Sequence, residues 1–271
     1  MERRSFLGSA TAVSVGAFFN LRCGASETAP SVPGQAPGES GFPPGSAIVL
    51  VHAAWADGSC WRNVIGPLEQ RGLQVICAPI PMTSLTNDAT ALSWALERTT
   101  GPVVLVGHAY SGAVIAAVRQ DRVKSLVYIS ALAPDEGETV AKVFYLNPNS
   151  PEAPKMVPDS HGFVWLPEDA FHKALAQKAS PEEARIAAAL QRPIAVHCIQ
   201  EPMPAPGWKS KPSWYLVAEE DRMINPKSQR LMADRMHAQI HAHPVDHTAM
   251  YADPQVVVDI ILEAARETLS Q

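Results

Sequence analysis

The residues best placed to do chemistry lie in one run, Val103-Val104-Leu105-Val106-Gly107-His108-Ala109-Tyr110-Ser111-Gly112, where an apolar stretch ends in a glycine-flanked turn and passes into a helical pattern. This reads as a strand, a sharp elbow and a helix. In the pattern G-x-S-x-G such an elbow lifts a serine hydroxyl clear of a sheet, while neighbouring backbone N–H groups point at the substrate. With Gly107 as the first glycine, the nucleophile position is Ala109. A methyl group cannot attack a carbonyl, so the mounting is present without its reactive atom. Ser111 is the nearest substitute hydroxyl, but the first turn of the helix directs it away from any base above the elbow, and nucleophile and base must lie within hydrogen-bond reach. Cys60 is a weaker substitute and more readily a structural thiol. A second cluster, His241, His243 and His247, admits a metal-binding reading, because His-x-His on a strand puts two imidazoles on one face. No carboxylate or thiolate motif completes it, so no metal is expected.

These residues need a scaffold, and the chain supplies alternating strand and helix patterns. Ile48-Val49-Leu50-Val51 is a continuous apolar run, as expected of a strand buried on both faces. It leads into a small-residue loop, His52 to Ser59. A helix over 60–71, a strand over 73–78, and a helix over 87–99 capped by Thr86 or Asn87 come next. The elbow strand and a helix over 111–120 follow, then a strand over 124–130. From 134 to 211 prolines and scattered aromatics replace the alternation, with short helices at 167–178 and 181–191. This reads as an inserted cap. The alternation resumes with a strand over 213–218, a helix over 226–236, a strand over 239–242 and an amphipathic helix over 254–269. The fold class is therefore α/β, a mostly parallel sheet with helices on both faces and an inserted helical cap.

Composition narrows the function classes. The 271 residues, 46% hydrophobic, suit one large domain over 47–271. The formal charge of −5 gives no basic face for nucleic acid. Glu2-Arg3-Arg4-Ser5-Phe6-Leu7, followed by an uncharged stretch to Leu21, has the layout of a twin-arginine (Tat) export peptide, assigned to 1–29. It is too short and too weakly apolar for a stable membrane span. Residues 30–46, rich in Pro, Gly and Ser, read as a flexible linker. The expected location is periplasmic or secreted. Cys60, Cys77 and Cys198 lie beyond the leader, and an odd count argues against a full disulfide framework, leaving at most one pair.

Four segments in order carry a resemblance: Val-Leu-Val-His-Ala-Ala-Trp-Ala-Asp-Gly-Ser at 49–59, Gly-His-Ala-Tyr-Ser-Gly at 107–112, Glu-Glu-Asp-Arg-Met-Ile-Asn-Pro at 219–226, and Val-Asp-His at 245–247. Together they resemble the α/β-hydrolase superfamily, and within it the small esterases that include plant methylesterases and hydroxynitrile lyases. The resemblance implies an α/β-hydrolase fold and a triad in the order nucleophile, acid, histidine, carried onto Ala109, Asp221 and His247. Asp221 would fix the imidazole tautomer, with Glu219 or Glu220 as rivals, and His247 would be the base. Backbone N–H groups of Ala54 and Tyr110 would form the oxyanion hole. The family's His-Gly is here His52-Ala53, and alanine tolerates a left-handed backbone poorly, so this loop is expected to sit differently. Ser111 stands where the family has glycine. Trp55, Tyr145 and Trp165, with Tyr110, Phe144, Phe163 and Phe171, are the candidate lining of an apolar substrate pocket.

Loss of the serine excludes ester hydrolysis by the usual covalent route, since removing such a nucleophile costs about a millionfold in turnover. Three readings remain: an engineered Ser-to-Ala knock-out of an esterase, a natural His-Asp base that activates water or abstracts a proton, and a non-catalytic periplasmic binder of a small ligand. The changes at Ala53 and Ser111 beside Ala109 favour the natural enzyme over a single engineered replacement. The expected substrate is a small apolar ester or carbonyl compound, and the chemistry calls for no cofactor.

Overall fold

The computed structural model describes residues 41–270, so the assigned export peptide and all but the end of the linker lie outside the described residues. The elements run in chain order: β1 (Ala47–Val51), a 3-10 turn (Gly58–Trp61), α1 (Arg62–Glu69), β2 (Gln74–Ala78), α2 (Leu85–Leu96), β3 (Val103–His108), α3 (Ser111–Ala117) and β4 (Val123–Ile129). Then come α4 (Val140–Phe144), β5 (Phe163–Val164), α5 (Glu168–Ala170) with a π-helical turn (Phe171–Leu175), α6 (Pro181–Leu190), β6 (Ile194–Ala195) and α7 (Val196–Gln200). A 3-10 turn (Gly207–Lys209), β7 (Ser213–Ala218), α8 (Pro226–Arg235), β8 (Gln239–His243), α9 (Ala249–Ala252) and α10 (Pro254–Leu269) complete the order.

Six strands form one sheet in the order β2-β1-β3-β4-β7-β8, every neighbouring pair parallel. The apolar runs alternate between two cores, as side chains of successive strand residues must. Val49, Val51 and Leu105 face one core with α2, α3 and α8, whereas Ile48, Leu50, Val104 and Val106 face the other with α1, α9 and α10. Each fully buried aliphatic side chain contributes about 1.5–3 kcal/mol, so the central strands fix the sheet. Phe42 packs against the second of these cores.

Several boundaries differ from the sequence expectation for local reasons. Helix α2 begins earlier than 87, because Ser84 in extended backbone accepts the N–H of Asn87 and is the N-cap in place of Thr86 or Asn87. Helix α3 stops at Ala117, three residues short, where Val118 turns extended. The insert between β4 and β7 is not purely helical: β5 and β6 pair antiparallel, Phe163 with Ala195 and Val164 with Ile194. All three described cysteines are free thiols.

Candidate active site

Ala109, Asp221 and His247 each follow the carboxyl end of a strand, β3, β7 and β8 respectively. A parallel sheet opens its crevice at that edge. Ala109 is left-handed, with φ of +50°, and its carbonyl accepts N–H groups from Gly112 at 3.1 Å and Leu132 at 2.9 Å. The turn needs the flanking glycines for close approach. A Cβ on Gly107 would stand 2.6 Å from the carbonyl oxygen of Ser111, and one on Gly112 would stand 2.5 Å from that of Leu132. An alanine thus occupies an intact strained elbow.

His247 and Asp221 are brought together. The Nδ1 of His247 lies 2.7 Å from Oδ2 of Asp221, and both residues are buried. Asp221 is itself held: Oδ1 accepts the N–H groups of Met223 at 2.7 Å and Ile224 at 2.9 Å, and Oδ2 accepts the amide of Gln229 on α8 at 2.8 Å. Glu219 is paired with Arg230 and Glu220 with Lys178, so neither rival carboxylate takes the histidine. The carbonyl of His247 accepts Nε2 of His108 at 2.8 Å. With Nδ1–H given to a carboxylate, a neutral His247 presents the Nε2 lone pair to the pocket that it lines.

That pocket, with an inner volume of about 80 Å³, is bounded by Ala54, Trp55, Ala109, Tyr110, His247 and apolar residues of the insert, among them Phe144, Met156, Val164 and Ile199. Ala54 and Tyr110 line it, and neither backbone N–H is given to a protein acceptor among the described residues. Trp55 is a wall, its indole N–H donated to the carbonyl of Val164 at 2.9 Å, and Tyr145 stands at the rim, 63% exposed. Trp165 is a correction: it is half exposed, donates to Asp159 at 3.2 Å and does not line the pocket, because strand alternation points its neighbour Val164 inward instead. Phe163 and Phe171 do not line it either.

The loop after β1 places its left-handed residue away from Ala53, as alanine's poor tolerance of such a backbone leads one to expect. Ala53 is not left-handed; the left-handed residue is Trp55, with φ of +59°, its N–H tied to the carbonyl of Arg192 at 2.9 Å. Ser111 is fully buried and donates its hydroxyl to the carbonyl of His52. It therefore staples the elbow helix to this loop and is not turned towards His247. Cys60 is buried, and burial with the neighbouring Cys77 pushes its thiol well up, so it is no nucleophile. His241 meets Glu263 at 3.2 Å while His247 meets Asp221, so the histidines of the metal reading are held by different carboxylates.

Three supporting side chains escaped the sequence reading. Asp88 on α2 is fully buried and accepts the Tyr110 hydroxyl at 2.7 Å, the Met82 N–H at 2.7 Å and the Cys198 thiol at 3.7 Å. Its signal was legible, a carboxylate on the same helical face as Leu85, Leu92 and Ala95. Gln229 is the second. Asp246 is the third: it accepts the backbone N–H of Lys178, at the end of the insert's π-helical region, at 2.7 Å, while Gln177 donates to the carbonyl of Glu220 at 2.7 Å. The loops carrying Asp221 and His247 are thereby fastened to the insert.

The sequence pattern of the alpha/beta hydrolase family matches residues 48–260. The chain belongs to that family. This α/β hydrolase is 26% identical to Methylesterase 2 of Arabidopsis thaliana over 251 residues, covering 80% of this chain and 95% of the relative. Among solved structures, a pyrethroid hydrolase from Sphingobium faniae JZ-2 superposes with a TM-score of 0.72 at 21% identity, covering 81% of this chain and 97% of the other. Polyneuridine aldehyde esterase gives 0.70 at 17% identity, with 80% and 98% covered. At such identities the structural likeness shows the fold alone. The family and its methylesterase relative support an esterase-like hydrolase scaffold.

Proposed function

We propose that this chain is an exported α/β hydrolase that acts on a small apolar ester or carbonyl compound with His247 and Asp221 as its base and with no serine nucleophile. The observation that carries this reading is the buried pair at 2.7 Å, set beside an apolar pocket and an elbow that keeps its geometry around Ala109. A dyad held by Met223, Ile224 and Gln229 is a costly arrangement to retain for packing, since buried polar networks must be fully satisfied.

In this reading the nucleophile is a water held beside the Ala109 methyl group, within reach of His247. Nε2 of His247 takes a proton from that water as its oxygen bonds to the substrate carbonyl carbon. The oxyanion accepts the N–H groups of Ala54 and Tyr110. Collapse breaks the bond to the leaving alkoxide, which takes the proton back from the imidazolium. Asp221 keeps the ring oriented and stabilises its charge. With a β-hydroxy carbonyl substrate, the same base removes the hydroxyl proton, the Cα–Cβ bond breaks as that oxygen becomes a carbonyl, and the enolate left on the other fragment takes the proton back from the imidazolium.

Turnover of short-chain p-nitrophenyl esters by the chain lacking its leader, beside Ala109→Ser and His247→Ala, tests the reading. The expected result is slow turnover without an acyl-enzyme burst in the starting protein, a burst in Ala109→Ser, and loss of activity to background in His247→Ala. Saturable binding of esters with no turnover in the starting protein would favour the non-catalytic binder. Export is part of the proposal, supported by Arg3-Arg4-Ser5-Phe6-Leu7. Replacing both arginines by lysine should retain the full-length chain in the cytoplasm on cell fractionation.

A further inference from the structure

An open groove of about 500 Å³ runs beside β2, the strand at one edge of the sheet, and shares no lining residue with the pocket at His247. Its size falls within the roughly 300–1,000 Å³ of sites that hold small organic ligands. The floor is apolar, with Ile76, Ile80 and Ala95 buried beneath it. One wall is a stripe of α2, Ala91, Trp94, Ala95 and Arg98, whose i, i+3, i+4, i+7 spacing keeps them on one helical face. The N–H of Arg98, given to the Ala95 carbonyl at 3.2 Å, carries that stripe past the helix end. Arg192, just beyond α6, lines the groove as well.

Two features of this groove stand apart from the rest of the surface. Trp94 is 65% exposed, and its indole N–H has no protein acceptor among the described residues, whereas the half-exposed Trp165 gives its own to Asp159. A large apolar ring left in water beside an apolar floor marks a contact site. The charge is the second feature. Arg62, Arg230 and Arg235 are each paired with a glutamate, but the guanidinium groups of Arg98 and Arg192 have no partner among the described residues, and no acidic side chain lines the groove. In a chain of net charge −5 this is a local field of the opposite sign.

We propose that this groove binds a small aryl carboxylate, its ring laid against Trp94 and the apolar floor and its carboxylate taken by the guanidinium groups of Arg98 and Arg192. The chemistry sets the class. A guanidinium offers only donors, in a planar fork that matches a carboxylate. A cation is repelled, a neutral arene leaves the charge unused, and an inorganic anion leaves Trp94 and the floor in water. The site goes beyond the esterase-like reading, because binding needs no turnover. One backbone link joins it to the substrate pocket: the Arg192 carbonyl accepts the N–H of Trp55, the pocket wall, at 2.9 Å.

The test titrates 2-naphthoate and its neutral counterpart 2-naphthylmethanol into the ¹⁵N-labelled full chain and follows the Trp94 indole N–H, assigned by its loss in Trp94→Phe. Naphthoate is expected to shift that resonance saturably, with the alcohol at least tenfold weaker, and added salt should weaken naphthoate alone. The double variant Arg98→Gln with Arg192→Gln, which breaks no ion pair of the fold, should lower naphthoate affinity at least tenfold and leave that of the alcohol unchanged. The naphthoate response should persist in His247→Ala, so loss of the esterase-like reading leaves the site standing. Equal affinity for the two ligands overturns the site, and so does an unchanged naphthoate affinity in the double variant. A naphthoate response confined to the other indoles, or none at all, overturns it too.

Discussion

At the scale of single residues, Ala109 combines a serine's backbone with a side chain that cannot use it. A left-handed turn costs an L-residue about 1–2 kcal/mol, and glycine escapes that cost while adding freedom to the unfolded chain worth about 0.4–1 kcal/mol. Ala109→Gly should therefore raise stability to urea by about 0.5–1 kcal/mol; a loss would show that methyl packing outweighs the strain. The elbow was legible in its glycine spacing, whereas Asp221 and His247 were singled out by the resemblance of four ordered segments, since the residues alone left Glu219 and Glu220 as rival acids and a metal reading for the histidine. Trp165 misled because aromatic content alone says nothing of strand phase, and Val164 holds the inward position. The role of Ser111 was legible only in part: its helical position turned it from the base, but its acceptor, the carbonyl of His52, lies 59 residues away in sequence.

Among the elements, the parallel sheet followed from apolar runs of strand length alternating with helical periodicity, and both faces of β1 and β3 are buried as those runs required. Ends were less legible: several residues before 87 could cap α2 and the hydroxyl of Ser84 takes that place, while α3 ends where the backbone of Val118 turns extended. Two glycines separate the causes. Gly66 inside α1 has nothing beyond its chain neighbours within 4 Å of where a Cβ would be, but it precedes Pro67, whose ring crowds a Cβ on a helical residue, so Gly66→Ala should gain less than the roughly 1 kcal/mol of an ordinary helix-interior exchange. Gly112 at the start of α3 would drive a Cβ to 2.5 Å from the Leu132 carbonyl, so Gly112→Ala should destabilise by about 1–3 kcal/mol in the same denaturation experiment.

Over the whole molecule, pH acts through buried histidines. Burial, as the largest cause, lowers the proton affinity of His52 and, with the neighbouring His247, holds His108 well below the usual imidazole range. Both are neutral in the fold and protonate in the unfolded chain below about pH 6.5. The unfolded state then binds more protons, so stability is complete above that pH and falls below it, by up to about 1.4 kcal/mol per pH unit for each residue. Between pH 7 and 5.5 the urea midpoint should drop by an equivalent of about 1–2 kcal/mol, and His108→Gln should flatten the slope. Asp88 and Asp246, whose carboxyls burial raises, act with the opposite sign in a lower window that opens just above pH 3.8. The fastening of Lys178 to Asp246 and of Gln177 to the carbonyl of Glu220 makes the length of the insert matter to the catalytic edge. The insert is part of the frame that holds the histidine in register. A one-residue insertion between β4 and β7 that slides residue 178 should therefore lower activity by pulling on the loop that carries His247, even where the pocket wall is untouched.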